Sequence, residues 1–212
     1  DKLKFYKNKN TKIKSLIVVD YAGHPADWES ISYLSKKYNF STINDNCHAL
    51  GASFKKDKGY STKYADIAVQ SFHPVKNITT GEGGAILTNK LNLFKKIKML
   101  RSHGMEKNKR IMRKGLWQYE MRNLGYNYRL TDFQCALGIN QLKRLDNIIS
   151  ERNKLLVNYE LLLKELPIEF LHIPLNVKSS VHLAIILLKG FTEEEHKKIF
   201  ITLTMFARVV FL

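Results

Sequence analysis

The stretch SFHPVKNITTGEGGAILT, residues 71–88, follows one short apolar run, residues 67–70, and contains a second, residues 85–87. Both runs are typical of buried strands. The loop between them contains a single lysine, Lys76. A lysine at such a corner can lie in a partly desolvated pocket, where its free amine becomes a nucleophile or forms a Schiff base. Most lysines of soluble proteins are solvated surface groups, so Lys76 needs support from other residues.

Upstream of this stretch, two further apolar runs predict strands at residues 15–19 and 40–44. Between them, Asp27 is placed to cap a helix with one apolar face. Residues 51–66 are polar and are predicted to form a loop. Strands that alternate with helices predict an α/β protein with a mostly parallel sheet.

Downstream, the apolar spacing predicts a helix at residues 91–100. Thr131 and Gln134 form a capping-box pattern, and helical periodicity then continues as one long helix until Pro167. The run VHLAIILL, residues 181–188, predicts a buried strand.

Composition limits the classes of protein. The 212 residues are 44% hydrophobic, which permits a sizeable core, and 35 Lys+Arg against 19 Asp+Glu give a net charge of +16. That charge favours anionic partners, and a nucleic acid is one reading. The lysines are scattered, which favours ordinary solvated surfaces over a nucleic-acid site.

The two cysteines, Cys47 and Cys135, are far apart and form no C-x-x-C pair, which argues against a disulfide scaffold or a zinc site. No metal site is predicted. No run is apolar enough to span a bilayer, and residues 1–12 are basic without the apolar segment of a signal peptide. A cytoplasmic location is therefore expected.

Asp45 ends the second predicted strand in INDNCHALGA. A carboxylate at the carboxyl end of a parallel strand points into the crevice where α/β sheets bind ligands. The alternative, a strand-end aspartate that caps a turn, is common. His48 follows three positions later and has two readings, a ligand contact or a structural histidine.

With SFHPVKNITTGEGG and this aspartate together, the sequence resembles the DegT/StrS-type sugar aminotransferases, which use pyridoxal phosphate (PLP). The resemblance runs from about Leu16 to about Leu188. It implies a fold type I PLP-dependent transferase, with a mostly parallel sheet and flanking helices. Residues 1–145 would belong to the large PLP-binding domain, and residues 146–212 to a linking helix and an incomplete small α+β domain.

The resemblance also implies roles for individual residues. Lys76 would carry the cofactor as a Schiff base and move the proton. Asp45 would face the pyridine nitrogen, Ser71 would bind the phosphate, and His48 would lie beside the phenolic oxygen or the ring. Asn127 in GYNYR would reach the phosphate of the neighbouring subunit's cofactor, which implies a homodimer.

His73 is a further candidate from the same motif. It follows Ser71 too closely for a hydrolytic triad. A structural role in the lysine loop and a substrate contact are both considered for it, with the structural role favoured. Gly81 to Gly84 lack the G-K-[ST] of a P-loop, so these glycines are predicted to permit a tight turn with positive φ.

The resemblance implies transfer of an amino group, with glutamate as donor, to a UDP-linked 4-keto-6-deoxy sugar, as in surface-glycan and pseudaminic acid biosynthesis. Some family members carry histidine in place of the lysine and dehydrate the sugar, so Lys76 favours transamination. Family members are considerably longer than this chain. A fragment that lacks the first segment, with its phosphate-binding glycine turn and ring-stacking aromatic, is therefore expected. An inactive remnant is the alternative.

Overall fold

The computed structural model describes residues 13–106, 115 and 117–210, with residues 203–210 described by their backbone alone. The basic segment 1–12, residues 107–114, residue 116, the side chains of residues 203–210 and residues 211–212 lie outside this description. No helix in the described ranges combines the length and the apolar character that a membrane span requires.

The described strands are β1 Ser15–Val19, β2 Ser41–Asp45, β3 Ser53–Phe54, β4 Ile67–Ser71, β5 Gly84–Leu87, β6 Met105–Glu106, β7 Glu120–Met121, β8 Ile168–Phe170, β9 Val177–Lys178 and β10 Ile186–Leu188. The described helices are α1 Trp28–Tyr38, α2 Tyr60–Tyr64, α3 Leu91–Arg101, α4 Asp132–Lys143, α5 Leu145–Leu162 and α6 Glu193–Val210.

Four strands form the central sheet, in the order β1-β2-β4-β5. β1, β2 and β4 are parallel, and β5 is antiparallel to β4. The register pairs Val19 with Asp45 and Asp45 with Val69, so the carboxyl ends of the parallel strands lie side by side. The mostly parallel sheet predicted from the sequence is confirmed, with β5 as the exception.

Local signals place the two capped helices as predicted. Asp27 caps α1, where its carboxylate accepts hydrogen bonds from the Ser30 amide (3.2 Å) and hydroxyl (2.6 Å). Thr131 and Gln134 form the capping box of α4, with both reciprocal bonds present. Each cap satisfies backbone N–H groups that have no partner within the helix.

The prediction of a plain loop at residues 51–66 is wrong. This region contains β3 and α2, and its Phe54 and Tyr60 belong to a buried cluster with Trp28. The lysine-rich turn between β3 and α2 gave the segment its polar average. The two aromatic side chains within it nevertheless supply core.

Two further predictions need correction. The long helix is interrupted at Arg144, which separates α4 from α5, and α5 ends at Leu162, before Pro167. The predicted strand at residues 181–188 is a strand only at β10, because Val181 has a positive φ of 41° and its neighbours are hydrogen-bonded elsewhere. Apolar runs of this kind do not reveal such tertiary bonds.

The two faces of the sheet differ. Thr42 and Asn44 on β2, with Ala68 and Gln70 on β4, are buried beneath the helices. Side chains alternate along a strand, so Asp45 and Ser71 lie on the opposite, partly open face. The candidate site is built on that face, at the carboxyl edge.

Candidate functional site

The loop from β4 to β5 is held closed by its own backbone. The Phe72 amide donates to the Gly83 carbonyl at 2.8 Å, and the Thr80 amide donates to the Phe72 carbonyl at 3.0 Å. Ile78, 2% exposed, anchors the loop from inside. Lys76 stands on this closed loop and is itself half-buried.

Two glycines of the turn need their positive φ, as predicted. Gly81 has φ of 78° and Gly83 has φ of 153°. A Cβ on Gly83 would also lie 2.5 Å from Thr80 Oγ1 and 2.8 Å from Leu130 Cδ2. Glycine is therefore required at position 83 both by conformation and by close packing.

Asp45 ends β2, and its Oδ1 accepts a hydrogen bond from the Cys47 amide at 3.2 Å. This turn fixes the carboxylate at the carboxyl edge of the sheet. Ser71 ends the neighbouring strand β4 on the same face, and its hydroxyl accepts from the His73 amide at 3.4 Å. The two predicted cofactor-binding residues thus stand on adjacent strand ends.

Lys76 and Asp45 both shift the pKa values of two side chains, Cys47 and His48. Burial raises the pKa of the Cys47 thiol to about 12, assisted by the hydrogen bond and charge of Asp45 and opposed by Lys76. Burial lowers the pKa of His48, assisted by Lys76 and opposed by Asp45. Lys76 and Asp45 are therefore both close enough to Cys47 and His48 to shift the pKa values of these side chains, in opposite directions.

His48 is in contact with residues from distant parts of the chain. The Ala22 amide donates to its Nδ1 at 3.3 Å. Its ring centroid lies 5.9 Å from that of Tyr21 and 4.4 Å from that of His182. His182 was not predicted as a site residue, because its apolar surroundings in VHLAIILL indicated a buried strand.

His182 shares the electrostatics of this cluster. Its pKa is lowered to about 4, first by burial and then by the positive charges of His48, Lys76 and Arg152. The pKa values of both histidines are thus shifted toward the neutral imidazole, by burial first and then by neighbouring positive charge.

Behind the site lies a buried carboxylate that the sequence analysis did not single out. Asp20, 0% exposed, accepts hydrogen bonds from the Ala26 amide, Trp28 Nε1, Asn44 Nδ2, Asn46 Nδ2 and the Tyr60 hydroxyl, at 2.7 to 2.9 Å. Two of these donors belong to the polar run that contains Asp45. The signal in the sequence was INDN, in which Asn44 and Asn46 are two positions apart and lie on the same buried side of the chain. Buried amides need hydrogen-bond partners, so this spacing indicated a buried polar group opposite them.

In the described residues, the side chains of His73 and Asn127 have no hydrogen bond or ion pair with Cys47, His48 or Asp45. His73 is exposed, bonded within its own loop, and 3.8 Å from a carboxylate oxygen of Glu82. Asn127 is exposed before α4 and forms an isolated bridge with Ser102. The Lys76 amide donates to the His73 carbonyl at 3.0 Å, which joins these two residues through the loop backbone, whereas no hydrogen bond or ion pair of the described residues joins Asn127 to Lys76. Their predicted roles stay predictions.

The donor set fits a ring cofactor that carries an aldehyde and a basic ring nitrogen. Lys76 offers an amine, Asp45 a carboxylate for a protonated ring nitrogen, and Ser71 a hydroxyl. Asn77 Oδ1 and His182 Nδ1 are buried without a hydrogen-bond partner in the described structure. Within the described ranges, no three His, Cys, Asp or Glu side chains converge as metal ligands would.

Comparison with known families agrees with this arrangement. Residues 6–211 match the model of the DegT/DnrJ/EryC1/StrS aminotransferase family, and the chain belongs to that family. Its fold is the family's, which confirms the predicted fold type I class.

Among its relatives is the UDP-4-amino-4,6-dideoxy-N-acetyl-beta-L-altrosamine transaminase of Campylobacter jejuni, which is 48% identical over 151 residues, covering 71% of this chain and 38% of the relative. Among solved structures, the chain is similar to Helicobacter pylori PseC, an aminotransferase involved in the biosynthesis of pseudoaminic acid. The TM-score is 0.78 at 37% identity, covering 90% of this chain and 49% of PseC. The PLP form of Spr1654 from Streptococcus pneumoniae is also similar, with a TM-score of 0.75 at 27% identity, covering 91% of this chain and 52% of Spr1654. The chain thus spans half or less of the length of these curated relatives.

Proposed function

We propose that this chain carries the PLP-binding face of an aminotransferase for nucleotide-linked keto sugars. The observation that carries the proposal is the placement of Lys76 and Asp45 around Cys47 and His48. A lysine amine and a strand-end carboxylate near one small cluster match the two fixed requirements of PLP chemistry, an attachment point and a counter-ion for the ring nitrogen.

Four residues of the chain would hold the cofactor. Lys76 would be the attachment point, Asp45 would accept a hydrogen bond from the protonated pyridine nitrogen, Ser71 would donate to the phosphate, and His48 would contact the ring or its phenolic oxygen. Bound PLP supplies an electron sink for the substrate carbon next to the transferred nitrogen. The chain's own contribution is proton movement by the Lys76 amine and fixed negative charge at Asp45.

The acceptor is a UDP-linked 4-keto-6-deoxy sugar and the donor is glutamate. Support for the acceptor comes from the Campylobacter relative, which is named as a transaminase of a UDP-linked amino sugar, and from the net charge of +16, which favours a diphosphate ligand. We place the activity in surface-glycan sugar biosynthesis in the cytoplasm. We also propose a homodimer in which Asn127, exposed before α4, reaches the partner's cofactor. A contact of exposed His73 with the sugar belongs to the same proposal.

The test is covalent labelling of the purified chain. With added PLP we expect a new visible absorbance band, and after borohydride reduction we expect the added mass on Lys76 in a peptide map. Lys76→Ala should lose both signals. The matched control is Lys58→Ala, which removes an exposed lysine that is paired with Asp146, and it should keep them. Label spread over surface lysines, or absent, would contradict the proposal.

Asp45→Asn provides a second measurement. Without the carboxylate, the ring nitrogen loses its counter-ion, and we expect PLP affinity to fall at least about tenfold, or about 1.4 kcal/mol. Fluorescence titration with PLP measures this affinity. Unchanged binding would remove Asp45 from the proposed site.

A second candidate function follows from the length of the chain. A protein that spans half of its relatives can bind the cofactor without completing the reaction. Such a remnant would label at Lys76 but would transfer no amino group from glutamate to PLP in a single-turnover assay. Transfer in that assay favours the enzyme over the remnant.

A further inference from the structure

Residues 179–182, here called the 179–182 segment, dock against the turn that follows β1. Ser179 Oγ donates to the Gly23 carbonyl at 2.9 Å, and the Ser180 amide donates to the same carbonyl at 3.0 Å. The His182 amide donates to the Ala22 carbonyl at 2.8 Å. These bonds join parts of the chain that lie more than 150 residues apart in sequence.

Helix α5 fixes the same segment from the other side. Asn153 Nδ2 donates to the Ser179 carbonyl at 3.1 Å, and Arg152 Nη1 donates to the carbonyls of Val181 (3.4 Å) and His182 (3.3 Å). Val181 is 5% exposed and has φ of 41°, a conformation that is strained for a β-branched residue. Such a conformation persists only where its surroundings determine it.

The segment reaches His48 at two points. Ser180 Oγ donates to the His48 carbonyl at 3.0 Å, and the His182 ring lies 4.4 Å from the His48 ring. His48 has a further contact outside this segment, because the Ala22 amide donates a hydrogen bond to its Nδ1. A nitrogen that accepts a hydrogen bond uses its lone pair, so the hydrogen of the neutral ring is on Nε2. The described residues give Nε2 no hydrogen-bond partner.

The charged groups around these two rings favour the neutral form. Lys76 lowers the pKa of both His48 and His182, and Arg152 lowers that of His182 further. Asp45 opposes the effect on the pKa of His48, but it ranks below burial and Lys76. Tyr21 is the remaining titratable side chain in contact with His48.

We propose that the 179–182 segment is a positioning device for His48. It fixes the imidazole as its neutral tautomer with the hydrogen on Nε2, so that this nitrogen donates a hydrogen bond into the site that contains Lys76 and Asp45. Ser180 and His182 are positioning residues, which act through His48. The consequence for catalysis rests on the proposed function, whereas the position of the hydrogen does not. His48 is then a donor to the oxygen of a bound ligand and does not compete with Lys76 as a base.

The experiment is a long-range proton–nitrogen NMR measurement on the full chain with nitrogen-15 histidine and no cofactor. The chain has seven histidines, so the His48 signals are identified by their loss in His48→Gln. In the wild-type chain we expect a protonated-type shift at Nε2 and an unprotonated-type shift at Nδ1. A hydrogen on Nδ1, or shifts averaged between the two tautomers, would overturn the proposal.

His182→Ala tests the positioning role. Removal of the covering ring admits water to His48, so its titration midpoint should rise and its nitrogen shifts should move toward the average of the tautomers. The matched control is His172→Ala, which removes an exposed histidine elsewhere in the chain. Equal effects of the two substitutions would overturn the role of His182.

Ser180→Ala removes a single hydroxyl and keeps the test open if His182→Ala unfolds the chain. Ser180→Ala should move the His48 nitrogen shifts in the same direction as His182→Ala does. Unchanged shifts would show that Ser180 does not position His48. These measurements are made without PLP. A negative result would therefore contradict the positioning role of the segment and would not bear on the proposed binding of the cofactor. Conversely, if the His48 nitrogens show the expected shifts but PLP does not label Lys76, only the proposed function is contradicted.

Discussion

Asp20 is a fully buried carboxylate whose two oxygens accept five hydrogen bonds. It lies one residue beyond β1, and its donors come from the turn before α1, from α1 itself, from β2 and the residue after it, and from α2. A buried charge is tolerated only when hydrogen bonds replace its hydration, and here they do. The network stabilises the carboxyl edge of the sheet, on which Asp45 stands.

The substitution Asp20→Asn should therefore be costly. The amide offers one acceptor oxygen and turns an NH2 group toward groups that are themselves donors, which leaves several donors unpaired. We expect a loss of about 2–5 kcal/mol in the free energy of unfolding, measured by urea denaturation. Asp27→Asn is the control, since asparagine caps a helix as well as aspartate does, and its effect should stay within about 0.5 kcal/mol. Similar losses in the two variants would contradict the role of Asp20.

The two site histidines predict a specific pH dependence of stability. Their pKa values are lowered in the folded chain, to about 4 for His182, so the unfolded state binds protons first as the pH falls. The stabilisation is fully present above the ordinary histidine pKa and is lost as the pH falls through that value toward 4. In His182→Ala, the decline of the thermal midpoint between pH 7 and pH 4 should be shallower than in His172→Ala. Parallel curves would show that His182 does not titrate as expected.

At the scale of elements, the close approach of the 179–182 segment to the turn after β1 depends on Gly23. Its φ is 98°, and a Cβ there would lie 2.8 Å from the Val181 amide nitrogen and 2.9 Å from that of His182. Both neighbours are backbone atoms, which cannot rotate away as a side chain can. The docking of the segment is thus built into a position that admits no side chain.

A comparison of Gly23→Ala with a second glycine substitution should separate the cost of the positive φ from the cost of the close backbone contact. Gly190→Ala is the matched control, because Gly190 also has a positive φ, of 76°, but a Cβ there meets nothing within 4 Å. We expect about 1–2 kcal/mol of destabilisation at Gly190 and about 2 kcal/mol more at Gly23, by urea denaturation. If the two variants lose the same stability, the backbone contact carries no cost.

At the scale of the whole molecule, both outer strands of the sheet keep an open edge. In the described part of the chain, β1 pairs only with β2, and β5 only with β4. Apolar side chains are exposed on both strands, with Ile17 64% and Ile86 51% accessible. Open apolar edges favour intermolecular pairing, while the net charge of +16 opposes it through repulsion.

We therefore expect concentration-dependent association of the chain that strengthens with added salt, because salt screens the repulsion. Sedimentation velocity measures it. The double substitution Ile17→Lys and Ile86→Lys should reduce association, whereas Ile201→Lys, at an equally exposed site on α6, should not. A monomer at all concentrations, or equal effects of the substitutions, would contradict this expectation.

Much of the fold was predictable because its signals are local. The capping residues Asp27 and Thr131 act within three positions of themselves, and the apolar runs of β1 and β4 lie within five residues. Residues 51–66 were mispredicted because their core aromatics are few among charged neighbours. Residues 181–185 were mispredicted because a buried apolar run has the same pattern whether it is a strand or a docked loop.

The sequence alone determined the four strands of the central sheet, the caps at Asp27 and Thr131, and the choice of Lys76 and Asp45 as candidates, since these follow from periodicity, short-range hydrogen bonds and a motif with set spacings. Only the tertiary structure decided the five bonds to Asp20 and the contact between His48 and His182. The physical reason is that these contacts join residues between 6 and more than 100 positions apart. Such pairing is set by the packing of the whole chain and leaves no regular spacing in the sequence.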